Sequence, residues 1–269
     1  MLVRRTACTV AVGLTVLLTA GCSARSRPAP PLIDVRKFVD LSYSFGPDTI
    51  YWPTAESFTL TPVSHGRTPL GYWYAANNLS MAEHGGTHMD APIHFAEGGH
   101  TVDAVSLHSC IGPAAVIDVR MQSEADHDYR LTVDDIKGWE RRNGRLPPGA
   151  LVIMWSGWGK FWPDKLRYLG TDQKGDVGHL HFPGFSKEAA EFLVKERDVA
   201  AIGVDTASID YGQSTDFMVH QVINGAGKPA FENLANVDRL PANGATLMAL
   251  PIKIAGGSGA PARIVAILP

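Results

Sequence analysis

The stretch His84–Phe95 holds three of the ten histidines of this 269-residue chain, together with Asp90. Two glycines and a proline within the stretch argue against a helix, because glycine is costly inside a helix and proline ends one. We therefore predict a tight loop that runs into an extended segment, in which His88 and Asp90 project to the same side. The paired glycines let the backbone fold closely enough to bring His84 to the same point.

Two imidazoles and one carboxylate that converge on one point suit a metal ion. The stretch contains no cysteine, so a closed structural site built from thiolates is excluded. Mixed imidazole and carboxylate ligation is typical of a catalytic zinc, manganese or iron ion with an open position for water. The alternative is that these histidines are hydrogen-bonded loop residues. The density of the cluster argues against it, because groups packed so closely need a partner charge to offset their desolvation.

The same stretch carries a family motif. It reads His-x-Gly-Thr-His-x-Asp-x-Pro-x-His, and Gly86 and Thr87 match as well as the polar positions. The stretch therefore resembles the metal-dependent cyclase-like hydrolases, a family that includes bacterial kynurenine formamidase and isatin hydrolase. The resemblance continues to the C-terminus, through a Gly-Gly-Ser-Gly run at residues 256–259. It implies a compact, β-rich, barrel-like core flanked by helices, and a homodimer.

The resemblance also implies further site residues. The family has metal ligands at a His and a Glu twelve residues apart, the Glu in a Glu-Asn-Leu context, and these correspond to His220 and Glu232. A Trp-Pro ahead of the motif lies against the aromatic ring of the substrate in kynurenine formamidases, so Trp52 is a predicted substrate-binding residue. The family continues with Gly-Asp or Gly-Asn where this chain has Thr54 and Ala55. That departure leaves the identity of the substrate open.

The predicted metal ligands are His84, His88, Asp90, His220 and Glu232, which are more donors than one tetrahedral zinc ion requires. Two carboxylates that each bridge two ions account for the surplus, so we predict two divalent ions, Zn²⁺ or Mn²⁺. Metal binding can lower the pKa of water to about 7, which supplies a nucleophile at neutral pH. A serine nucleophile is then not required, and the chain contains no Gly-x-Ser-x-Gly elbow.

His94 lies four residues beyond Asp90 and is the predicted general acid and base. A histidine near its free pKa of about 6.5 can take a proton from water and pass it to a leaving nitrogen. The alternative is that His94 is a further ligand or supports one.

The predicted activity is metal-dependent hydrolysis of a small amide. The resemblance implies either an N-formyl arylamine such as N-formylkynurenine or a cyclic amide such as isatin. The competing hypothesis, from a different class, is a non-catalytic surface lipoprotein that binds a metal or a small ligand. Such a binding protein has no need of His94.

Apolar β-type runs and two helices must position these residues. The helix Thr132–Arg142 opens with a Thr-x-x-Asp capping box, and the helix Ser186–Glu196 has a serine cap and one apolar stripe. Strands outnumber helices, which predicts a single α/β domain over residues 34–269, with a mixed sheet and long loops. The predicted strands are Phe38–Phe45, Ala114–Val119, Leu151–Trp155, Val199–Val204, Thr246–Pro251 and Arg263–Leu268.

The first 33 residues are predicted to lie outside this domain. Residues 1–21 have a basic start and an apolar run too short to span a membrane comfortably, which is typical of a signal peptide. Small residues directly precede Cys22, as at bacterial lipoprotein cleavage sites, so Cys22 is the predicted lipid attachment site. Residues 22–33 form a proline-rich tether. We expect an exported, membrane-anchored lipoprotein, and the alternative is a secreted protein cut nearby.

Charge and cysteine content exclude other classes. The formal net charge is −3 and no basic stripe appears, so we expect a small-molecule amide and a lipid anchor rather than a nucleic acid as partners. Cys110 is alone once the leader and Cys22 are set aside, so it is predicted to be buried and without a disulfide. His179 and His181 alternate as ligands in a strand would, but with no third ligand nearby we predict loop residues near the mouth of the site.

Overall fold

The computed structural model describes residues 34–269, so the predicted signal peptide (residues 1–21) and the whole predicted tether with Cys22 (residues 22–33) lie outside the described residues. The strands are β1 Phe38–Asp40, β2 Thr59–Arg67, β3 Trp73–Ser80, β4 His88–Asp90, β5 Ile111–Asp118, β6 Arg130–Leu131, β7 Leu151–Trp155, β8 Gly184–Phe185, β9 Ala201–Val204, β10 Ala230–Glu232, β11 Thr246–Pro251 and β12 Gly259–Ile267. The α-helices are α1 Arg120–Ala125, α2 Val133–Asn143, α3 Lys165–Leu169, α4 Lys187–Arg197 and α5 Met218–Gly225. Short 3₁₀ helices cover Val35–Lys37, Pro92–His94, Val102–Ala104, Leu107–Ser109, Trp158–Phe161 and Val237–Arg239.

Seven strands close into a barrel in the order β4, β12, β11, β5, β7, β9, β10. The run β5, β7, β9 and β10 is parallel, and the remaining pairs are antiparallel. Strand β4 has three residues and closes the ring by pairing with both β10 and β12. The long β12 pairs with β4 through its first residues and with β1 through its last. The predicted barrel-like α/β core is therefore confirmed.

The parallel strands β5, β7, β9 and β10 are buried on both faces over most of their length. This is why β5, β7 and β9 appear as continuous apolar runs in the sequence. Alternate residues such as Val116 and Ile153 belong to one apolar cluster shared by all seven strands, which fills the barrel. Their neighbours, such as Ile117 and Val152, pack in a second cluster with residues of α2, α4 and α5. The chain thus builds two cores, one inside the barrel and one between barrel and helices.

The predicted helices form with the predicted caps. The Thr132 side chain accepts from the backbone N–H of Asp135, whose carboxylate accepts from the Thr132 N–H, so the capping box of α2 is complete. Ser186 caps α4 by accepting from Ala189 N–H. Strands β7 and β11 match their predicted bounds, whereas the predicted Phe38–Phe45 strand pairs only as β1. The sequence analysis did not predict α5 or β10, and it predicted β4 as the extended segment that holds His88 and Asp90.

The hairpin of β2 and β3 was also missed, because its apolar residues are exposed rather than buried on one face. The two strands pair with each other and with no other strand of the described region. Cys110, by contrast, is buried as predicted, and burial raises the pKa of its thiol to about 11. Within residues 34–269, no helix combines the length and apolarity needed to cross a bilayer.

Candidate metal centre

The site begins at the predicted glycine loop. Gly85 and Gly86 have φ angles of 156° and 55°, which favour glycine, and a Cβ on Gly85 would collide with the ring of Tyr51. The loop leads directly into β4, where His88 and Asp90 point to one side and Met89 points into the barrel core. The predicted loop followed by an extended segment is therefore confirmed.

The first three predicted ligands meet as expected. His84 Nδ1 lies 2.6 Å from Asp90 Oδ1, and His88 Nε2 lies 3.2 Å from the same oxygen. His88 and Asp90 are buried, and His84 is about one-quarter exposed. Side-chain atoms of all three lie within 4.8 Å of one another, close enough to hold one ion.

The two distant ligands reach the same place from α5 and β10. His220 Nε2 lies 3.4 Å from Asp90 Oδ2 and 3.4 Å from Glu232 Oε1. Glu232 pairs with His88 in the β10–β4 register, and its Oε2 lies 3.5 Å from His88 Nε2. Asp90, His220 and Glu232 form a second group that could hold an ion, so Asp90 is common to both groups.

Hydrogen bonds orient the histidines of the site. His88 Nδ1 is 2.9 Å from the carbonyl oxygen of Gly86, so this nitrogen carries a proton and donates it. His220 Nδ1 likewise donates to Asp210 Oδ2 at 2.7 Å. In both rings Nε2 is therefore turned toward the carboxylates of Asp90 and Glu232. This arrangement is typical of metal-binding histidines, whose outer nitrogen is held by an acceptor.

Two buried atoms of the cluster have no hydrogen-bond partner, His88 Nε2 and Asp90 Oδ2. Both belong to groups whose usual role with a metal is to donate a lone pair. Buried polar atoms normally have partners, because leaving one unpaired costs free energy. A divalent ion would satisfy both atoms, so the residues present fit a metal site.

The electrostatics show that the site requires positive charge. Burial alone would lower the pKa of His88, but Asp90 and Glu232 raise it to about 9. Burial likewise opposes protonation of His220, but Asp210 and the site carboxylates raise its pKa well above the usual value. For Asp90, the neighbouring histidines outweigh burial and hold its pKa well below the usual value. Without a metal, protons supply the charge, and metal binding would displace them.

His94 lies beside this cluster. Its ring stacks on that of His84, with centroids 3.8 Å apart, and its centroid is 5.7 Å from that of His220. Burial, reinforced by the other site histidines, lowers the pKa of His94 to about 4. The ring is therefore neutral at pH 7, rather than titrating near 6.5 as expected from the sequence, and it can accept a proton.

A cavity of about 290 Å³ opens onto the cluster and His94. Trp52, Phe95 and Phe217 line it, and the Phe217 ring lies 6.2 Å from Trp52 and 5.6 Å from Phe95. Ala207 and Ser208 line it as well, so the segment that follows β9 borders the site. The cavity thus has aromatic walls and a polar, acidic floor.

Other histidines lie apart from the cluster. His179 pairs with Asp176 and His181 with Asp128, each at 2.8 Å and each exposed. Both lie in the loop between α3 and β8, as predicted, and neither is among the described residues that line the cavity. Asp210 is a site residue that sequence reasoning did not identify. Its position at the end of the segment that follows β9, ten residues before His220, was the available signal.

Comparisons with known proteins agree with this geometry. The Cyclase family model matches residues 39–211. The isatin hydrolase of Roseibium aggregatum is 36% identical over 208 residues, which cover 74% of this chain and 77% of that protein. The kynurenine formamidase of Salinibacter ruber is 27% identical over 227 residues, which cover 84% and 95%. Isatin hydrolase A from Ralstonia solanacearum superposes with a TM-score of 0.79 at 35% identity, over 86% of this chain and 92% of that one.

Proposed function

The chain belongs to the Cyclase family, and from that premise we propose that it is a metal-dependent hydrolase of small, neutral, aromatic amides. The observation that carries this proposal is the convergence of five donor residues at the floor of an aromatic cavity, with buried lone pairs that lack partners. A divalent ion there would polarise the amide carbonyl and make water a nucleophile at neutral pH.

The residues of the chain supply the proton transfers. Neutral His94 takes a proton from the attacking water as the bond between water oxygen and carbonyl carbon forms. It then gives that proton to the amide nitrogen as the carbon–nitrogen bond breaks. The Phe95 ring packs between His94 and His220. Its centroid lies 4.7 Å from that of His94 and 4.6 Å from that of His220.

We further propose that the metal is Zn²⁺ or Mn²⁺ and that the site holds two ions. Asp90 belongs to both candidate groups, and Glu232 approaches His88 as well as His220. Two nearby divalent ions repel each other, and shared carboxylates offset that repulsion. Metal analysis of the purified protein tests the number directly, and one ion per chain would overturn the two-ion proposal.

The cavity favours a cyclic amide such as isatin over N-formylkynurenine. Among the described residues that line it, none is a lysine or an arginine. The amino-acid carboxylate of N-formylkynurenine therefore has no cation to pair with inside the cavity. Lys165 and Lys174 line a separate groove that shares Tyr51 and Trp52 with the cavity. The flat, uncharged ring of isatin instead matches the aromatic walls.

The experiment that tests this function compares substrates. The purified protein should open isatin and should hydrolyse N-formylkynurenine more slowly. A chelator should abolish both activities, and added Zn²⁺ or Mn²⁺ should restore them. Faster hydrolysis of N-formylkynurenine would reverse the choice of substrate. Tight metal binding without hydrolysis of any amide or lactone tested would favour the non-catalytic binding protein.

We also propose a homodimer that forms through the β2–β3 hairpin. An isolated two-stranded hairpin is marginally stable, and clustered exposed apolar residues mark interaction surfaces. In size-exclusion chromatography with light scattering, the wild type should be a dimer and Trp73→Asp a monomer, whereas Met121→Asp, at an exposed site elsewhere, should remain a dimer. A monomeric wild type would overturn the proposal. The exposed apolar residues of the hairpin are Leu60, Val63, Leu70, Tyr72, Trp73, Tyr74 and Leu79.

Export and lipid anchoring through Cys22 remain a proposal that rests on the leader sequence. An anchored enzyme outside the cytoplasm would meet amides that arrive from the surroundings of the cell. This location agrees with a neutral cyclic amide better than with an intermediate of amino-acid breakdown, which is made inside the cell.

A further inference from the structure

The Gly-Gly-Ser-Gly run at residues 256–259, which resembles the family sequence, lies against the candidate metal centre. Ser258 donates two hydrogen bonds to Glu83 Oε2, from its hydroxyl at 2.7 Å and from its backbone N–H at 3.0 Å. The same hydroxyl oxygen lies 2.9 Å from Nε2 of His84. Glu83, Ser258 and His84 therefore form a continuous chain of hydrogen bonds that ends at a predicted metal ligand.

The direction of this chain follows from counting protons. A serine hydroxyl has one hydrogen, and Ser258 gives it to the carboxylate of Glu83, which can only accept. The oxygen of Ser258 must then accept from His84, so the proton of His84 is on Nε2. The Nδ1 atom of His84 faces Asp90 Oδ1, 2.6 Å away, which is a hydrogen-bond distance. A proton between these two atoms is the one that a metal ion bound by Nδ1 would displace, whereas the proton on Nε2 stays with Ser258.

The backbone around Ser258 is shaped to hold this chain. A Cβ on Gly259 would collide with the ring of His84, and a Cβ on Gly257 would lie 2.8 Å from Glu83 Oε1. Gly259 is thus required for the close approach of the His84 ring, and a side chain at position 257 would push the Glu83 carboxylate away. Because Gly259 also pairs with Asp90 across the β12–β4 register, the run is fixed relative to the cluster.

We propose that Glu83 and Ser258 are positioning residues that fix the tautomer and ring orientation of His84, so that Nδ1 is presented to the metal. This inference rests on the proposed metal-dependent function. Without the Glu83 carboxylate, Ser258 is free to donate its hydrogen to Nε2 of His84. The ring proton is then on Nδ1, where it competes with the ion.

The test measures metal affinity rather than activity. Ser258→Ala and Glu83→Ala should each weaken the binding of Zn²⁺ and of Mn²⁺, measured by competition with a chromophoric chelator, by about 10- to 100-fold. The double variant should lose little more than the worse single variant, because the two residues act as a unit. Ser258→Thr keeps the hydroxyl and should recover most of the affinity.

The matched control is Ser42→Ala. Ser42 is a half-buried serine whose hydroxyl also bonds to β12, at Ile264, away from the site. The Ser42→Ala protein should bind both ions with wild-type affinity. In their metal-free forms, the Ser42→Ala and Ser258→Ala proteins should have similar melting temperatures. Nitrogen-15 NMR of the Zn²⁺-loaded wild type should show the His84 proton on Nε2.

The possible outcomes distinguish failure of the positioning role from failure of the proposed metal-dependent function. Wild-type affinity in both Ser258→Ala and Glu83→Ala, or a His84 proton on Nδ1, would overturn the positioning role while leaving the metal site intact. A wild-type protein that binds neither ion would overturn the proposed function and this inference with it.

Discussion

Replacing Asp210 with Asn tests whether the orientation of His220 matters to the metal centre. Asp210 is buried and uses both oxygens: Oδ2 accepts from His220 Nδ1 at 2.7 Å and from the His220 backbone N–H at 3.1 Å, and Oδ1 accepts from Val219 N–H at 3.0 Å. Asparagine has one acceptor oxygen. In Asp210→Asn, the amide NH₂ must therefore face either the first turn of α5 or the ring of His220.

Each orientation has a defined cost. If the NH₂ group faces α5, a buried N–H loses its acceptor, which costs about 1–3 kcal/mol. For a domain of this size that lowers the melting temperature by about 2–4 °C per kcal/mol. If the NH₂ group faces His220, the backbone N–H of His220 loses its acceptor at a similar cost. In addition, Nδ1 must accept and the proton moves to Nε2, which points at Asp90 and Glu232. Metal affinity should then fall by about 10- to 100-fold, which is about 1.4–2.8 kcal/mol.

The assay combines chelator competition for Zn²⁺ with calorimetric melting of the metal-free protein. The matched control is Asp176→Asn, which changes an Asp–His hydrogen bond of 2.8 Å on the surface, with His179. The control should leave both quantities unchanged. If Asp210→Asn binds Zn²⁺ as tightly as the wild type and melts at the same temperature, then the orientation of His220 does not depend on Asp210 and the reasoning is refuted.

Four further substitutions test the remaining assignments. His94→Ala should lower turnover by about two to four orders of magnitude with metal content near wild type, and loss of metal as well would make His94 a ligand. Trp52→Ala should raise KM for aromatic amides more than for aliphatic ones, and an equal effect on both would remove the stacking argument. Glu232→Gln should lower metal occupancy, measured by elemental analysis, while the circular dichroism spectrum is retained; full occupancy would remove Glu232 from the ligand set. Cys22→Ala should release the protein from the membrane fraction or block its processing, and unchanged fractionation and mature mass would count against the lipid anchor.

The sequence was sufficient where a feature depends on local spacing. The convergence of His84, His88 and Asp90 follows from two glycines and an extended segment, and the capping box at Thr132 needs four residues of sequence. The barrel strands β5, β7 and β9 could be predicted because both of their faces are buried. Short-range rules of this kind do not depend on how the rest of the chain folds.

Features that depend on long-range approach could not be read in the same way. His220 and Glu232 were assigned through family resemblance, because no spacing rule joins them to Asp90 more than 120 residues away. Asp210 and Ser258 gain their roles only when α5 and β12 close around the site. The β2–β3 hairpin is a local feature, but it was not predicted because it lacks the one-sided burial by which strands are recognised.

Strand β4 has three residues and two structural roles. It supplies two of the proposed metal ligands, and it completes the ring of hydrogen bonds between β10 and β12. The proposed metal site and the closure of the barrel therefore depend on the same segment. Removing the metal should speed amide hydrogen exchange first along β4 and β10, before the helices are affected. For protein engineering, this means that activity and stability cannot be adjusted independently at residues 86–90. Stabilising changes should instead be sought in α2 and α4, which lie outside residues 86–90 and carry none of the proposed ligands.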